Sequence, residues 1–203
     1  MLDFFQPAVT KHYLQSEIGY LIQGKIDITY TKGFLVEEGR WINYRRNYFE
    51  VKCQVCLLSK LDKGSSKLYV NGSQVLGFRL AISAISDEGK DVCILQYTSR
   101  RGMGPKTIPP PVALQLQMGP VEQAFKRLQF DRATPKYNSN ARPKGSYRLR
   151  VQLMADFLDS TSACVAEALS LLLDVRGRNP SFFTSSSAAE NPISAHITNP
   201  HQS

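Results

Sequence analysis

Histidine is scarce in this chain of 203 residues, which contains only His12, His196 and His201. Two of the three lie in a polar C-terminal stretch, so no Ser–His–Asp or Cys–His set can be placed on predicted ordered structure. Residues 102–106 contain two glycines and a lysine but lack the spacing of a phosphate-binding loop. We therefore expect a protein that is not an enzyme and has no cofactor and no small-molecule substrate.

Cysteine is also rare, with four residues at Cys53, Cys56, Cys93 and Cys164. A structural zinc site needs four ligands, and Cys53-x-x-Cys56 has no second Cys pair or His pair to complete one. On a strand, positions i and i+3 also face opposite sides of the sheet. We interpret the cysteines as buried reduced thiols and expect neither a metal site nor a disulfide framework.

Long apolar runs are absent as well, and no stretch approaches the ~20 apolar residues that a membrane helix requires. Residues 1–10 include Asp3 and Pro7 and lack the basic head and apolar run of a secretory leader. We therefore expect no membrane partner and a location in the cytosol or nucleus.

Acidic residues are outnumbered, because the chain has 25 Lys and Arg against 17 Asp and Glu, a formal net charge of +8. The excess is uneven: residues 1–150 hold 23 basic and 12 acidic residues (+11), whereas residues 151–203 hold two and five (−3). A body this basic attracts polyanions, and each phosphate that it neutralises releases condensed counterions. Charge alone leaves DNA, RNA and acidic protein surfaces open as partners.

Alternation of apolar and polar residues is the main pattern over residues 26–153. Residues 49–55, 78–84 and 147–153 show it clearly and are predicted as half-buried antiparallel strands. The nearly continuous apolar run 92–97 predicts a strand buried on both faces, and Asn71-Gly72 predicts a hairpin turn. Strands at this spacing indicate a sandwich or a barrel.

Two segments break the alternation. Residues 106–120 carry three consecutive prolines, which cannot donate ladder hydrogen bonds and predict an extended connection. In residues 155–175, the spacing of Leu158, Val165 and Leu169 predicts a helix.

The domain organisation is predicted in three parts. Residues 1–25 form a partly packed N-terminal extension, and residues 26–183 form the main domain. The Ser-rich stretch 184–203 predicts a flexible tail or linker.

Basic and amide side chains gather at three predicted strand ends or loops. Two of these groups flank predicted strands and the third lies in a turn-rich segment: Arg45, Arg46, Asn47 and Tyr48; Arg100 and Arg101; Arg132, Lys136, Asn138, Asn140, Arg142 and Lys144. Loops on a rigid β scaffold commonly carry binding residues. Arginine can bind guanine O6 and N7, asparagine can pair with adenine, and lysine binds phosphates. One such group alone is ordinary solvated charge, but three on a basic body predict a binding protein.

Four motifs follow one another along the chain: Lys32-Gly33-Phe34 with the stretch from Trp41 to Phe49, then residues 95–105, 128–134 and 175–181. Together they resemble the NDT80/PhoG family, the DNA-binding domain of fungal meiotic and nutrient-response transcription factors. A related domain occurs in the animal myelin regulatory factor. The resemblance covers residues 26–183, most of the chain.

The resemblance implies an all-β fold with minor helices, an s-type immunoglobulin-like β-sandwich of the tumour-suppressor and Rel-like type. It implies a nuclear transcription factor domain, acting in processes such as meiosis and sporulation, that binds a CACAAA-like element in double-stranded DNA as a monomer. Arg46 matches a family arginine that reads guanine in the major groove, with Arg45, Asn47 and Tyr48 beside it. Arg101 matches a second base-reading arginine. Further DNA contacts are expected from Lys32, Arg100, Lys106, residues 132–144, Arg176 and Arg178.

The family pattern also bears on residues 155–178. Because it places a strand before Arg176, we predict a short helix or loop to about Glu167 and a strand over 171–175. Arg176 and Arg178 either contact DNA or hold a loop together by hydrogen bonds. These two roles stay open at this point.

Residues 135–142 and the pair Gly102-Met103 differ from the sequence usual in the family. A changed preference for the DNA element therefore stays open. The alternative function is a basic β module that docks on RNA or on acidic proteins. In that case Tyr44, Tyr48 and Tyr137 are expected to be exposed and to stack on unpaired bases.

Overall fold

The computed structural model describes residues 3–58, 67–97, 105–116, 119–135 and 145–177. These residues form sixteen strands, numbered along the chain: β1 (Val9–Thr10), β2 (Leu14–Ser16), β3 (Leu21–Lys32), β4 (Leu35–Glu37), β5 (Arg40–Tyr44), β6 (Phe49–Leu58), β7 (Leu68–Val70), β8 (Ser73–Ser86), β9 (Asp91–Val92), β10 (Ile94–Tyr97), β11 (Lys106–Thr107), β12 (Val112–Leu114), β13 (Val121–Phe130), β14 (Tyr147–Phe157), β15 (Ser162–Leu169) and β16 (Leu173–Arg176). The described ranges contain no α-helix, and therefore no helix long and apolar enough to cross a membrane. The minor helices expected from the resemblance are therefore not found in this part of the chain.

The strands form two layers. The first sheet has the order β11-β10-β13-β6-β3, and the second has the order β8-β14-β16-β5-β4. In the second sheet β15 also pairs with β14 and β1 with β15, while β9 and β12 pair with β8. The short strands β2 and β7 link β3 to β8, and β16 pairs with β5 in parallel. The predicted all-β, immunoglobulin-like sandwich is confirmed as a fold class.

The core lies between the two layers because alternate residues of the long strands point inward. In β6, Phe49, Val51 and Val55 are fully buried, and in β14 Leu149 and Leu153 are fully buried. Their neighbours Lys52 and Gln54 face solvent. The strands predicted at 49–55, 78–84 and 147–153 are thus confirmed, and each extends beyond its predicted bounds.

The two sheets approach closely at Gly24 on β3. A β-carbon built there would lie 2.9 Å from Cδ2 of Leu153 and 3.0 Å from Cγ1 of Val165. A larger residue at this position would therefore force the buried side chains of Leu153 and Val165 to shift, because the opposite sheet already fills the volume that a side chain needs.

The N-terminal residues pack against the second sheet. The amide of Gln6 donates to the carbonyl of Leu169 at 2.9 Å, and the amide of Leu171 donates to the carbonyl of Phe4 at 2.7 Å. The Phe4 ring is 2% exposed and contacts Trp41, with ring centroids 4.7 Å apart. The predicted boundary at residue 25 falls inside β3, and the division into an extension and a main domain stays a prediction.

The predicted helix in residues 155–175 is wrong. These residues complete β14, form β15 and then enter β16. A β-bulge explains the misleading spacing, since the pairing with β14 shifts register between Leu153 and Met154 and both Val165 and Ala166 are buried. Two consecutive inward residues disrupt the period of two, and apolar residues then fall by chance at helical intervals. The strand predicted over 171–175 is found as β16, at Leu173–Arg176. The short helix or loop predicted up to about Glu167 is also wrong, because Ser162–Leu169 forms β15.

Other local predictions have mixed outcomes. The Asn71-Gly72 hairpin is confirmed, with positive φ at both residues (49° and 84°) between β7 and β8. The single strand predicted at 92–97 is wrong, because Cys93 is exposed and interrupts it, and only Ile94 is buried. The prolines at 109–111 lie outside strands as predicted. The residues around them pair, with β11 on the first sheet and β12 on the second.

The cysteine interpretation is only partly correct. All four thiols are free, but Cys93 is exposed, Cys56 and Cys164 are half-buried, and Cys53 alone is fully buried. Burial raises the pKa of the Cys53 thiol to about 12. Within the described ranges, no three His, Cys, Asp or Glu residues come together as a possible metal site.

Candidate nucleic-acid interface

One end of the sandwich carries the predicted binding residues that the structure describes. Residues 45–48, here called the 45–48 loop, cross from β5 in the second sheet to β6 in the first. Strands β3, β13 and β16 end beside this loop, as the register pairs show. The predicted side chains at this end, including the adjoining side of the first sheet, are Lys32, Arg45, Arg46, Asn47, Tyr48, Lys106, Arg132 and Arg176. We call it the basic end.

The 45–48 loop is held from three sides. The amide of Asn47 donates to the carbonyl of Tyr44 at 2.7 Å, which closes a tight turn. The amide of Arg45 donates to the carbonyl of Arg176 at 2.8 Å and extends the parallel pairing of β5 and β16. The Arg45 guanidinium donates to the carbonyl of Asp131 at 3.3 Å. Arg45 thus ties the loop to the end of β16 and to the residue that follows β13.

Arg46 is the exposed residue at the centre of this loop. Its carbonyl accepts a hydrogen bond from the side-chain amide of Gln129 on β13. Its guanidinium has no hydrogen-bond or ion-pair partner among the residues that the structure describes, and the neighbouring Asn47 side chain is also exposed. The backbone is therefore fixed while both side chains point to solvent.

A glycine turn supports the other side of the loop. Gly33 follows Lys32 with φ of +95°, and a β-carbon there would lie 2.5 Å from Cβ of Phe49. The buried Asn43 donates to the carbonyl of Gly33 at 2.7 Å. Asn43 Oδ1 is buried without a hydrogen-bond partner in the described structure, so this side chain serves the turn through its amide nitrogen. Lys32 is thereby held beside the 45–48 loop.

An aromatic and cationic group flanks the loop on the first sheet. The rings of Tyr48 and Tyr97 meet edge to face, with centroids 5.1 Å apart, and Lys106 Nζ lies 5.3 Å from the Tyr97 centroid. The hydrogen bond and charge interaction with Tyr97 hold the pKa of Lys106 above its ordinary value, so it is cationic at neutral pH. Through Tyr97 and Tyr48, the group places a positive charge on the side of the 45–48 loop that adjoins the first sheet.

The described part of the 132–144 segment, residues 132–135, is anchored by hydrogen bonds. The amide and hydroxyl of Thr134 both donate to the carbonyl of Val175, at 2.8 and 3.1 Å. The Tyr147 hydroxyl donates to the carbonyl of Ala133 at 3.1 Å. Between these anchors and β13, the side chain of Arg132 is 85% exposed and lies 3.7 Å from Asp131. Arg132 therefore projects from a fixed backbone.

Arg176 is arranged differently from Arg46. Its Nη1 bonds Glu37 Oε2, and the Tyr44 hydroxyl donates to the other oxygen of the same carboxylate at 3.3 Å. Partial burial lowers the pKa of Arg176, but the hydrogen bonds to Glu37 and Tyr44 outweigh it and raise the pKa overall. The Arg176 guanidinium is thus engaged in interactions within the protein. Tyr44 is 4% exposed, so the expectation that it is an exposed stacking residue is wrong.

Half of the predicted contacts lie outside the described residues: Arg100, Arg101, Lys136, Asn138, Asn140, Arg142, Lys144 and Arg178. Tyr137 also lies outside them. Their roles stay predictions.

Several residues of the basic end were not predicted from sequence. Glu37, Asn43, Gln129 and Asp131 hold the backbone or side chains of predicted residues. The contact between Gln129 and Arg46 spans 83 residues of sequence, and that between Arg176 and Glu37 spans 139. A single sequence carries no local signal for such pairs.

Comparison with known families agrees with this geometry. The model of the NDT80 / PhoG like DNA-binding family matches residues 40–186, nearly three quarters of the chain, and the match includes the 45–48 loop. A comparison with curated proteins found no match. The resemblance predicted from the four motifs is thus confirmed. The chain belongs to the NDT80 / PhoG like DNA-binding family.

Proposed function

We propose that this domain binds double-stranded DNA in a sequence-specific manner and regulates transcription in the nucleus, without catalysis. The observation that carries the proposal is Arg46, whose guanidinium is exposed and unpaired among the described residues on a loop fixed by its neighbours. A fixed backbone with a free guanidinium suits bidentate recognition of guanine O6 and N7. The proposed target is a short CACAAA-like element, and the proposed binding state is a monomer.

The cationic side chains around Arg46 suit phosphate contacts, whereas other residues suit base contacts. Lys32, Lys106 and Arg132 are exposed around the 45–48 loop, which suits contacts to phosphates on either side of the base that is read. We assign Arg101 to a second base contact by family resemblance. Asn47 is a further candidate for base contact because its side chain is exposed beside Arg46.

Arg45 and Arg176 are assigned positioning roles instead of base contacts. Each uses its guanidinium within the protein, on the carbonyl of Asp131 and on the carboxylate of Glu37. For Arg176 this arrangement favours the second of its two predicted roles, the holding of a loop.

RNA or single-strand binding is less well supported. Tyr48 is half-buried and packs against Tyr97, and Tyr44 is buried, so these rings offer little free face for stacking. Competition between duplex DNA, single-stranded DNA and RNA of the same sequence tests this directly. Tighter binding to the single strand or the RNA would favour the alternative.

The main test begins with selection of sites from a random duplex pool and continues with Arg46→Ala on the selected site. Direct readout predicts a loss of about 1–3 kcal/mol that appears at one G·C pair. The control is Arg40→Ala, which removes the same charge from the far end of β5, where Arg40 lies 3.6 Å from Asp174. An equal loss of affinity by Arg46→Ala for every sequence would contradict the assignment.

A further inference from the structure

The geometry of β13 assigns a specific task to Gln129, and this inference rests on the proposed function of Arg46. Strand β13 pairs with β6, but the register shifts between Phe125, which pairs with Val51, and Leu128, which pairs with Phe49. Three steps on β13 therefore match two on β6. Arg127 takes up the extra residue with a φ of +55°, which identifies a β-bulge.

The bulge decides which way Gln129 points. Phe125, Leu128 and Phe130 are all buried, although Phe125 and Leu128 are an odd number of residues apart. Without the extra residue, Gln129 would share the inward face with Phe125. With it, Leu128 and Phe130 fill the core and Gln129 faces outward beside the 45–48 loop.

In this position the side-chain amide of Gln129 donates to the carbonyl of Arg46. The other described bonds to the loop reach Arg45 and Asn47 but not Arg46 itself. A glutamine on a long, paired strand therefore restrains the peptide that carries the exposed guanidinium. The amide nitrogen that could otherwise contact a base is engaged with the protein.

We infer that Gln129 is a positioning residue for DNA recognition, which acts through Arg46 and not by its own contact with a base. The hydrogen bond limits rotation of the Arg46 peptide and so keeps the guanidinium aligned for bidentate recognition. Loss of the bond would lower discrimination between base pairs more than it lowers general affinity for DNA, because the phosphate contacts remain in place.

The test uses Gln129→Met, which keeps the length of the side chain and removes the donor. We expect the ratio of affinities for the selected duplex and a scrambled duplex to fall about 2- to 10-fold, the range for one net hydrogen bond. Gln129→Asn keeps an amide that is one methylene too short and is expected to show the same loss. The matched control is Gln123→Met on the same strand, where the amide donates to the carbonyl of Ala124 at 3.0 Å.

A double-mutant cycle separates positioning from direct contact. If Gln129 acts through Arg46, Arg46→Ala combined with Gln129→Met discriminates as poorly as Arg46→Ala alone, and both single variants relax the same base pair. Additive losses, a loss at a different base pair, or unchanged discrimination would overturn the inference while leaving the role of Arg46 intact. If the wild-type chain itself binds selected and scrambled duplexes equally, the proposed function fails and the inference fails with it.

Discussion

Gly33 and Phe49 approach so closely that a β-carbon on Gly33 would lie 2.5 Å from Cβ of Phe49 and 2.7 Å from the carbonyl oxygen of Tyr48. The turn after β3 is thus pressed against the backbone where the 45–48 loop enters β6. Backbone atoms cannot move aside as the end of a flexible side chain can. The position of Lys32 and the shape of the loop are therefore linked through one glycine.

Gly33→Ala is expected to destabilise the fold by more than about 1 kcal/mol, since it combines positive φ with a steric clash. Denaturant unfolding measures the change. Gly39→Ala is the control, because Gly39 also has positive φ (+73°) but a β-carbon added there would meet no atom within 4 Å. Equal losses of unfolding free energy for the two variants would mean that the clash with Phe49 does not contribute to the destabilisation.

Phe4→Ala is expected to destabilise the protein by about 3–5 kcal/mol, as is usual when a buried aromatic ring is removed. The Phe4 ring packs against Phe34 and Trp41, with centroids 4.6 and 4.7 Å away. Trp41 is the single tryptophan of the chain, so its emission should shift to the red as water reaches it. The control is Tyr13→Ala, at an N-terminal aromatic residue that is 56% exposed. A stable Phe4→Ala variant with unchanged emission would indicate that the packing of Phe4 against Trp41 contributes little to the fold.

Lys32→Met and Arg176→Met are expected to have different effects, because Lys32 is assigned to a phosphate contact and Arg176 to an ion pair within the protein. Lys32→Met should reduce the slope of log affinity against log salt by about 0.9, the value for one phosphate contact. Arg176→Met should leave the slope unchanged and lower stability by about 0.2–1 kcal/mol, because its ion pair with Glu37 is partly exposed. Salt titrations of duplex binding and thermal unfolding give the two quantities. A reduced slope for Arg176→Met would assign that residue to DNA.

Alkaline pH is expected to destabilise the fold through Cys53. Burial raises the pKa of this thiol from 9.0 to about 12, so between these values the unfolded chain ionises while the folded chain does not. The contribution of the neutral Cys53 thiol to the free energy of unfolding is fully present below pH 9. It is lost as the pH rises towards 12, with a slope of up to about 1.4 kcal/mol per pH unit. Cys53→Val should remove this component, as measured by denaturant unfolding at about pH 8 and about pH 10.5, on either side of the ordinary thiol pKa. Cys93→Val, at an exposed site, is the control and should follow the wild-type curve.

The long alternating strands were predictable because their pattern is local. Residues 49–55 and 147–153 place every second side chain in the core, and Asn71-Gly72 adopts the positive φ values that a two-residue hairpin requires. The failures share a physical cause. At β15 a bulge buries Val165 and Ala166 in succession, and at 92–97 an exposed Cys93 divides the apolar run. Bulges and breaks follow from pairing with partner strands, which periodicity in one segment does not encode.

The sequence by itself determined the basic character of the chain, its β-rich alternation and the motifs of its family, and it predicted Arg46 as a binding residue. Each of these depends on residue type and near neighbours. Only the tertiary structure decided which arginines remain free, because the partners of Arg45, Arg46 and Arg176 lie 83 to 139 residues away in the chain. Two arginines adjacent in sequence thus differ in environment, since one donates to the carbonyl of Asp131 and the other extends into solvent.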